Sequence, residues 1–147
     1  MKYYFFFEDI AALELTMEEH RKKIQELGKE QGEMARQTTE IFGHDDACQE
    51  AVHDARILVI SRLNNLREII NNAVVVNPEK VFDSVRLGAT VELSDGRLFR
   101  IGSYMITADH KVTNISYTSP LAKVLLNKQV GDEIEFRGKV FLIRQIF

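Results

Sequence analysis

Along the first half of the chain, apolar residues return at alternating intervals of four and three. Leu13, Met17, His20, Ile24, Leu27, Gln31, Met34, Thr38 and Ile41 keep this rhythm without a break, and mostly Glu, Lys, Arg and Gln stand between them. That is the heptad seam of a coiled-coil helix, weakened at His20 and Gln31. The rhythm recurs at Val52, Ala55, Val59, Arg62, Leu66, Ile69 and Ala73, with Leu58, Leu63 and Ile70 widening the stripe. Between the two runs lies Phe42-Gly43-His44-Asp45-Asp46. Gly43 suits the left-handed position that ends a helix, and Asp45 or Asp46 suits the cap of the next. So short a turn sends the second helix back antiparallel beside the first. A helix from about Glu8 to Ile41 is roughly 50 Å long at 1.5 Å per residue, so the pair is expected to project as a rod.

In the second half the period changes to that of strands. Val85–Leu93 and Arg97–Ile101 flank Ser94-Asp95-Gly96, and Asp-Gly is a strong hairpin signal. Further strands are expected at Val112–Tyr117, Glu133–Arg137 and Lys139–Ile146, the last two joined through Gly138. A short helix is expected at Pro120–Asn127, with Pro in its first turn and Ser119 as its cap. The fold class is α+β: an antiparallel helical hairpin, then an antiparallel β-sheet carrying one short helix.

Charge supports a division between the two. Residues 1–76 carry 9 Lys/Arg and 14 Asp/Glu, net −5, and residues 77–147 carry 10 and 8, net +2, which together give the −3 of the chain. Both prolines, Pro78 and Pro120, and five of the eight glycines lie in the second part. The expected domains are therefore 1–76 and 77–147. A net charge of −3 excludes a globally basic, nucleic-acid-coating protein. Apolar stretches such as Tyr3–Phe7 are too short to cross a bilayer, and no signal-peptide pattern opens the chain. With a single cysteine, Cys48, there is no disulfide framework. The expected location is the cytoplasm, without membrane attachment.

The turn between the helices is the most unusual segment chemically. From Gln37 to Ala55 there is no Lys or Arg, while Glu40, Asp45, Asp46, Glu50 and Asp54 are all acidic. Asp46, Glu50 and Asp54 share one helix face, a spacing that modestly destabilises an isolated helix, by about 0.2–0.5 kcal/mol per pair. One reading is a solvated tip whose acids favour the positive helix N-terminus. The other is a probe that carries carboxylates to a basic partner or to a metal such as Mg²⁺. His44, Cys48 and His53 invite a zinc reading, but Cys48 and His53 are five apart on a helix, about 140° around its axis, and a fourth ligand is lacking. There is no Gly-x-Ser-x-Gly nucleophile motif and no Gly-rich phosphate loop. The run Tyr3-Tyr4-Phe5-Phe6-Phe7 is expected to pack against the base of the rod or the second domain.

Asn114–Phe136, NISYTSPLAKVLLNKQVGDEIEF, resembles the C-terminal signature of the Gre transcript-cleavage factors. The matching residues are Ile115-Ser116, Ser119-Pro120-Leu121-Ala122-Lys123, Leu125-Leu126, Lys128 and Val130-Gly131-Asp132. Leu87-Gly88-Ala89-Thr90-Val91, Ala108-Asp109 and the second-helix segment Ser61–Ala73 are similar as well. The resemblance implies a coiled coil followed by an FKBP-like domain. It implies a monomeric elongation factor that binds bacterial RNA polymerase and passes its coiled coil down the secondary channel. Contact with nucleic acid, including the family's association with DNA, would then be indirect, through the polymerase complex. In this picture Thr118, Ser119 and Pro120 bind the polymerase, and Asp45, Asp46 and Glu50 form the tip. Asp45 and Asp46 are the candidate Mg²⁺ ligands, and only in complex with the polymerase; the protein needs no cofactor alone and is not itself an enzyme.

Two departures stand out. The family's tip reads approximately Gly-Asp-Leu-x-Glu-Asn, and neither way of aligning it preserves an Asp-x-x-Glu pair here; Asp45 holds one acidic place and the other is lost. Thr118 stands where the family often has Asp or Asn. The resemblance thus leaves two functions open: stimulation of transcript cleavage, or occupation of the channel that inhibits or competes without cleaving. A peptidyl-prolyl isomerase, suggested by the FKBP-like fold alone, is set aside because the domain is a docking module and the chain lacks Trp.

Overall fold

The computed structural model describes residues 1–40 and 46–147. They fold as two compact units, one of Met1–Ala12 with Ala73–Phe147 and the other of Leu13–Asn72. The division expected between residues 76 and 77 is thus displaced: residues 1–12 and 73–76 belong with the sheet. The cause is a strand pair that local pattern does not announce. Strand β1 (Tyr3–Phe5) runs parallel to β2 (Ala73–Val75), with Tyr4 opposite Val74. The Val76 N–H extends the ladder to the Phe5 carbonyl at 2.8 Å, and the Tyr104 N–H donates to the Tyr4 carbonyl at 2.9 Å. The N-terminal aromatic run is therefore divided between a strand, Tyr3–Phe5, and the start of the first helix at Phe7, with Phe5 and Phe6 fully buried and Phe7 exposed.

The hairpin consists of α1 (Phe7–Glu40) and α2 (Asp46–Asn71). Gln31 of α1 meets both His53 and Arg56 of α2, each at 3.1 Å, while Met17 and Ile70 line a common cleft, so the helices run antiparallel. Leu13, Met17, Leu27, Leu63 and Leu66 are buried. The α2 seam follows a different track from the expected one. Leu63 is buried whereas Arg62 is exposed, and Arg56 is half-buried whereas Ala55 is exposed. The inward positions are Val52, Arg56, Val59, Leu63, Leu66 and Ile70, which keeps the heptad but turns its intermediate position by one residue. Leu58, expected to widen the stripe, is 51% exposed. Leu63 in place of Arg62 follows from the cost of taking an unpaired guanidinium out of water.

The second sheet comprises β3 (Thr90–Leu93), β4 (Leu98–Gly102), β5 (Thr113–Ser116), β6 (Glu133–Phe136) and β7 (Lys139–Ile146), in the order β5-β4-β3-β7-β6. The Asp-Gly hairpin forms as its residues dictate: Gly96 has φ +84°, and the Asp95 carboxylate accepts the Arg97 N–H at 3.1 Å. The expectation of an antiparallel sheet needs one correction, because β4 and β5 are parallel. The segment between them, Ser103–Val112, is long enough to carry the chain back before β5 begins, which a tight turn cannot do. The sheet is mixed, and the α+β class stands.

Helix α3 (Pro120–Leu125) covers the sheet, and Ala122 and Leu125 join Val85, Ala89, Val91, Leu93, Ile101, Ile134 and Ile143 in one buried core. Burying the Val, Leu and Ile side chains among them contributes roughly 1.5–3 kcal/mol each. Gly88 sits beside that core at φ +94°, where an added Cβ would lie 2.7 Å from Pro78 Cβ; no other residue fits without movement.

Candidate functional site

The segment singled out for partner binding lies where β5 ends and α3 begins. The Ser119 N–H donates to the Ser116 carbonyl at 2.9 Å and closes a tight turn over Tyr117 and Thr118. Ser119 then caps α3: its side-chain oxygen accepts the Ala122 N–H at 3.3 Å, and its carbonyl accepts the Lys123 N–H at 3.0 Å. Pro120 follows as the first helical residue, where its missing N–H costs nothing, and it is exposed. Thr118 and Ser119 are half-buried. The expected trio Thr118, Ser119 and Pro120 is therefore one contiguous turn, with Lys123 a helical turn beyond.

Below this turn lies an aromatic group that sequence reading did not connect with it. Tyr104 packs against Tyr3 at a tilt, with 4.4 Å between ring centroids, and Tyr117 lies 6.0 Å from Tyr4 and 6.4 Å from Tyr104. The Tyr4 N–H also donates to the Tyr117 hydroxyl at 3.3 Å. The first strand and the turn are thus in direct contact, although more than a hundred residues separate them.

A second unforeseen centre is Asp9, in the first turn of α1 and fully buried. Its carboxylate accepts from the Ser103 hydroxyl, from the Thr107 and Ala108 N–H groups at 3.2 Å each, and meets His110 Nε2 at 3.2 Å. Ser103 in turn accepts the Phe6 N–H at 2.8 Å. Burial pushes the Asp9 carboxyl up, but Ser103, Ala108, His110 and Thr107 together outweigh it and hold the pKa below the usual carboxylate range. The only sequence signal was an acid in a helix's first turn, which reads as a dipole partner. This is a structural node: the serine bonds the carboxylate rather than the histidine, so no nucleophile is activated.

At the other candidate site, Asp45 lies outside the described residues. Asp46 opens α2, and the carboxylates of Glu50 and Asp54 on the same helix are exposed. Among the described residues, no three His, Cys, Asp or Glu side chains are gathered for a metal. Cys48 is exposed, and His53 bonds Gln31, so neither supports the zinc reading; His44 lies outside the described residues. Among the described residues no helix is long and apolar enough to cross a membrane.

Residues 78–141 match the family model described as "Transcription elongation factor, GreA/GreB, C-term". The transcription elongation factor GreA of Acidiphilium cryptum is 36% identical over 115 residues, covering 72% of this chain and 73% of that protein. The chain belongs to the GreA/GreB family. The GreA of Mesorhizobium japonicum is 38% identical over 96 residues, covering 62% of this chain and 61% of that protein. Among solved structures, the transcription factor Gfh1 is similar across 99% of this chain and 97% of its own, with a TM-score of 0.50 at 24% identity, a likeness of fold. The match to the GreA/GreB model takes in Gly88, the Ser116–Ser119 turn, Pro120 and all of α3. This protein is a Gre-family elongation factor.

Proposed function

We propose that this protein binds bacterial RNA polymerase as a monomer through the Thr118–Pro120 turn and modulates elongation by passing its helical hairpin into the secondary channel. The observation that carries the reading is the turn itself, which lies in the segment that matches the family model. Pro120 is exposed on it, and hydrogen bonds help fix its backbone, so a partner can reach Pro120 without the domain opening. The protein acts in the cytoplasm and is not an enzyme alone; any chemistry belongs to the polymerase centre. There Mg²⁺ would supply Lewis-acid and nucleophile-generating chemistry. The described tip residues do not form a metal site by themselves. Loss of the Asp-x-x-Glu pair favours the second mode, channel occupation without efficient cleavage, over stimulation.

The test is direct binding. Ser119→Ala combined with Pro120→Ala should weaken retention on purified bacterial RNA polymerase at least about tenfold, some 1.4 kcal/mol, while circular dichroism stays unchanged. Equal retention of the folded double variant would remove the docking assignment.

A further inference from the structure

The turn that presents Thr118, Ser119 and Pro120 carries one side chain with more hydrogen bonds than its position as a strand-ending serine requires. Ser116 Oγ donates to the Tyr104 carbonyl at 2.8 Å, lies 2.9 Å from Thr118 Oγ1, and accepts the Thr118 N–H at 3.3 Å. A hydroxyl has one proton and two lone pairs. With its proton on Tyr104, Ser116 must accept both the hydroxyl and the N–H of Thr118, so its capacity is filled and Thr118 is held at two points. The Ser116 carbonyl meanwhile accepts the Ser119 N–H at 2.9 Å. Every residue from Thr118 to the α3 cap therefore refers back to Ser116.

Tyr104 refers in turn to the first strand. Its N–H donates to the Tyr4 carbonyl at 2.9 Å, its ring packs at a tilt on Tyr3, and Tyr4 donates its own N–H to the Tyr117 hydroxyl. The turn has two struts on β1, one through Ser116 and Tyr104 and one through Tyr117.

We propose that Ser116 is the positioning residue of the docking turn, holding Thr118 and Ser119 in binding geometry through a brace that ends on the N-terminal aromatic strand. This rests on the docking reading above. It gives the Tyr3–Phe5 strand a role in partner affinity, although neither that strand nor Ser116 need touch the partner. A turn held in its bound shape avoids the ordering cost that a loose one meets on association.

The experiment titrates the full-length protein against purified bacterial RNA polymerase in five forms: wild type, S116A, S116T, S119A/P120A, and the triple combination. S116A should weaken binding roughly tenfold, the scale of losing the two hydrogen bonds that hold half-buried Thr118. S116T, which restores the hydroxyl, should recover most of the affinity. Amide exchange at Thr118 should quicken in S116A and not in S116T. Because Ser116 acts through the turn, adding S116A to S119A/P120A should weaken binding by less than S116A does in the wild type, a non-additivity that a general loss of stability would not give. If S116A does not fold, Y117F keeps the ring, removes the second strut alone, and should lower affinity several-fold. A folded S116A that binds like wild type while S119A/P120A does not would overturn the positioning role and leave the docking reading intact. Wild-type binding by S119A/P120A would overturn both.

Discussion

Asp9 Oδ1 and His110 Nε2 lie 3.2 Å apart, joining the first turn of α1 to a loop 101 residues further along the chain. Asp9 and Ser103 are fully buried and Thr107, Ala108 and His110 are half-buried, so removing the carboxylate leaves several donors without their partner at once. Asp9→Ala should therefore cost about 3 kcal/mol of stability at neutral pH, against a few tenths for an exposed acid such as Glu8.

The same carboxylate sets a pH dependence. Its pKa is depressed in the fold, so its stabilisation is complete above the unfolded value of about 3.9 and fades as pH falls through the lower folded value. Melting curves of wild type and Asp9→Asn should differ most at neutral pH and converge in strong acid. A difference that persists unchanged into strong acid would show that the carboxylate's charge is not the source.

Asn114 on β5 offers the opposite case. Both polar atoms of its side chain are buried and find no hydrogen-bond partner. A stranded amide costs about 1–3 kcal/mol, and a β-branched residue suits the strand better. Asn114→Val should raise the melting temperature, with polymerase binding unchanged because the Ser116 network is untouched. A clear drop in melting temperature would mean the amide has a partner, such as bound water, that the protein atoms do not supply.

What the sequence made legible was local. Asp95-Gly96 announces its hairpin because the turn needs a positive φ at Gly96, and Ser119-Pro120 announces α3 because capping is decided within four residues. The heptads gave both helices, yet the α2 seam was read one residue off at intermediate positions. Val52, Val59 and Leu66 belong to both tracks, and only burial separates Leu63 from Arg62. The parallel pair β1–β2 and the Asp9 node depend on partners far apart in sequence, and the parallel sense of β4–β5 depends on the path of the loop between them; none of these leaves a periodic trace. Docking of a partner by the Thr118–Pro120 turn is a proposal that rests on resemblance, while the contacts of Tyr117 and Tyr104 with Tyr3 and Tyr4 left no sign, since an aromatic run does not name what it packs against.

The two proposed modes of action make different demands on the tip. Asp46 is the first residue of α2, and Asp46, Glu50 and Asp54 recur at intervals of four along it. Mg²⁺ requires near-octahedral oxygen ligands at about 2.0–2.1 Å, so two tip carboxylates must converge on one point. Asp45 and Asp46 are neighbours, and on a helix neighbouring side chains diverge by about 100°. The family's Asp-x-x-Glu pair is missing; Asp46 and Glu50 share a helix face at an interval of four instead. The expected outcome is that the protein occupies the polymerase yet stimulates cleavage of backtracked transcripts weakly or not at all. Any residual Mg²⁺-dependent effect should depend first on Asp45 and then on Asp46. Transcript length in backtracked complexes, followed over time with Mg²⁺ and added protein, measures this directly. Cleavage as fast as that given by a GreA relative, and abolished by Asp45→Ala, would rule out the inhibitory mode and make this protein a cleavage factor with a differently built tip.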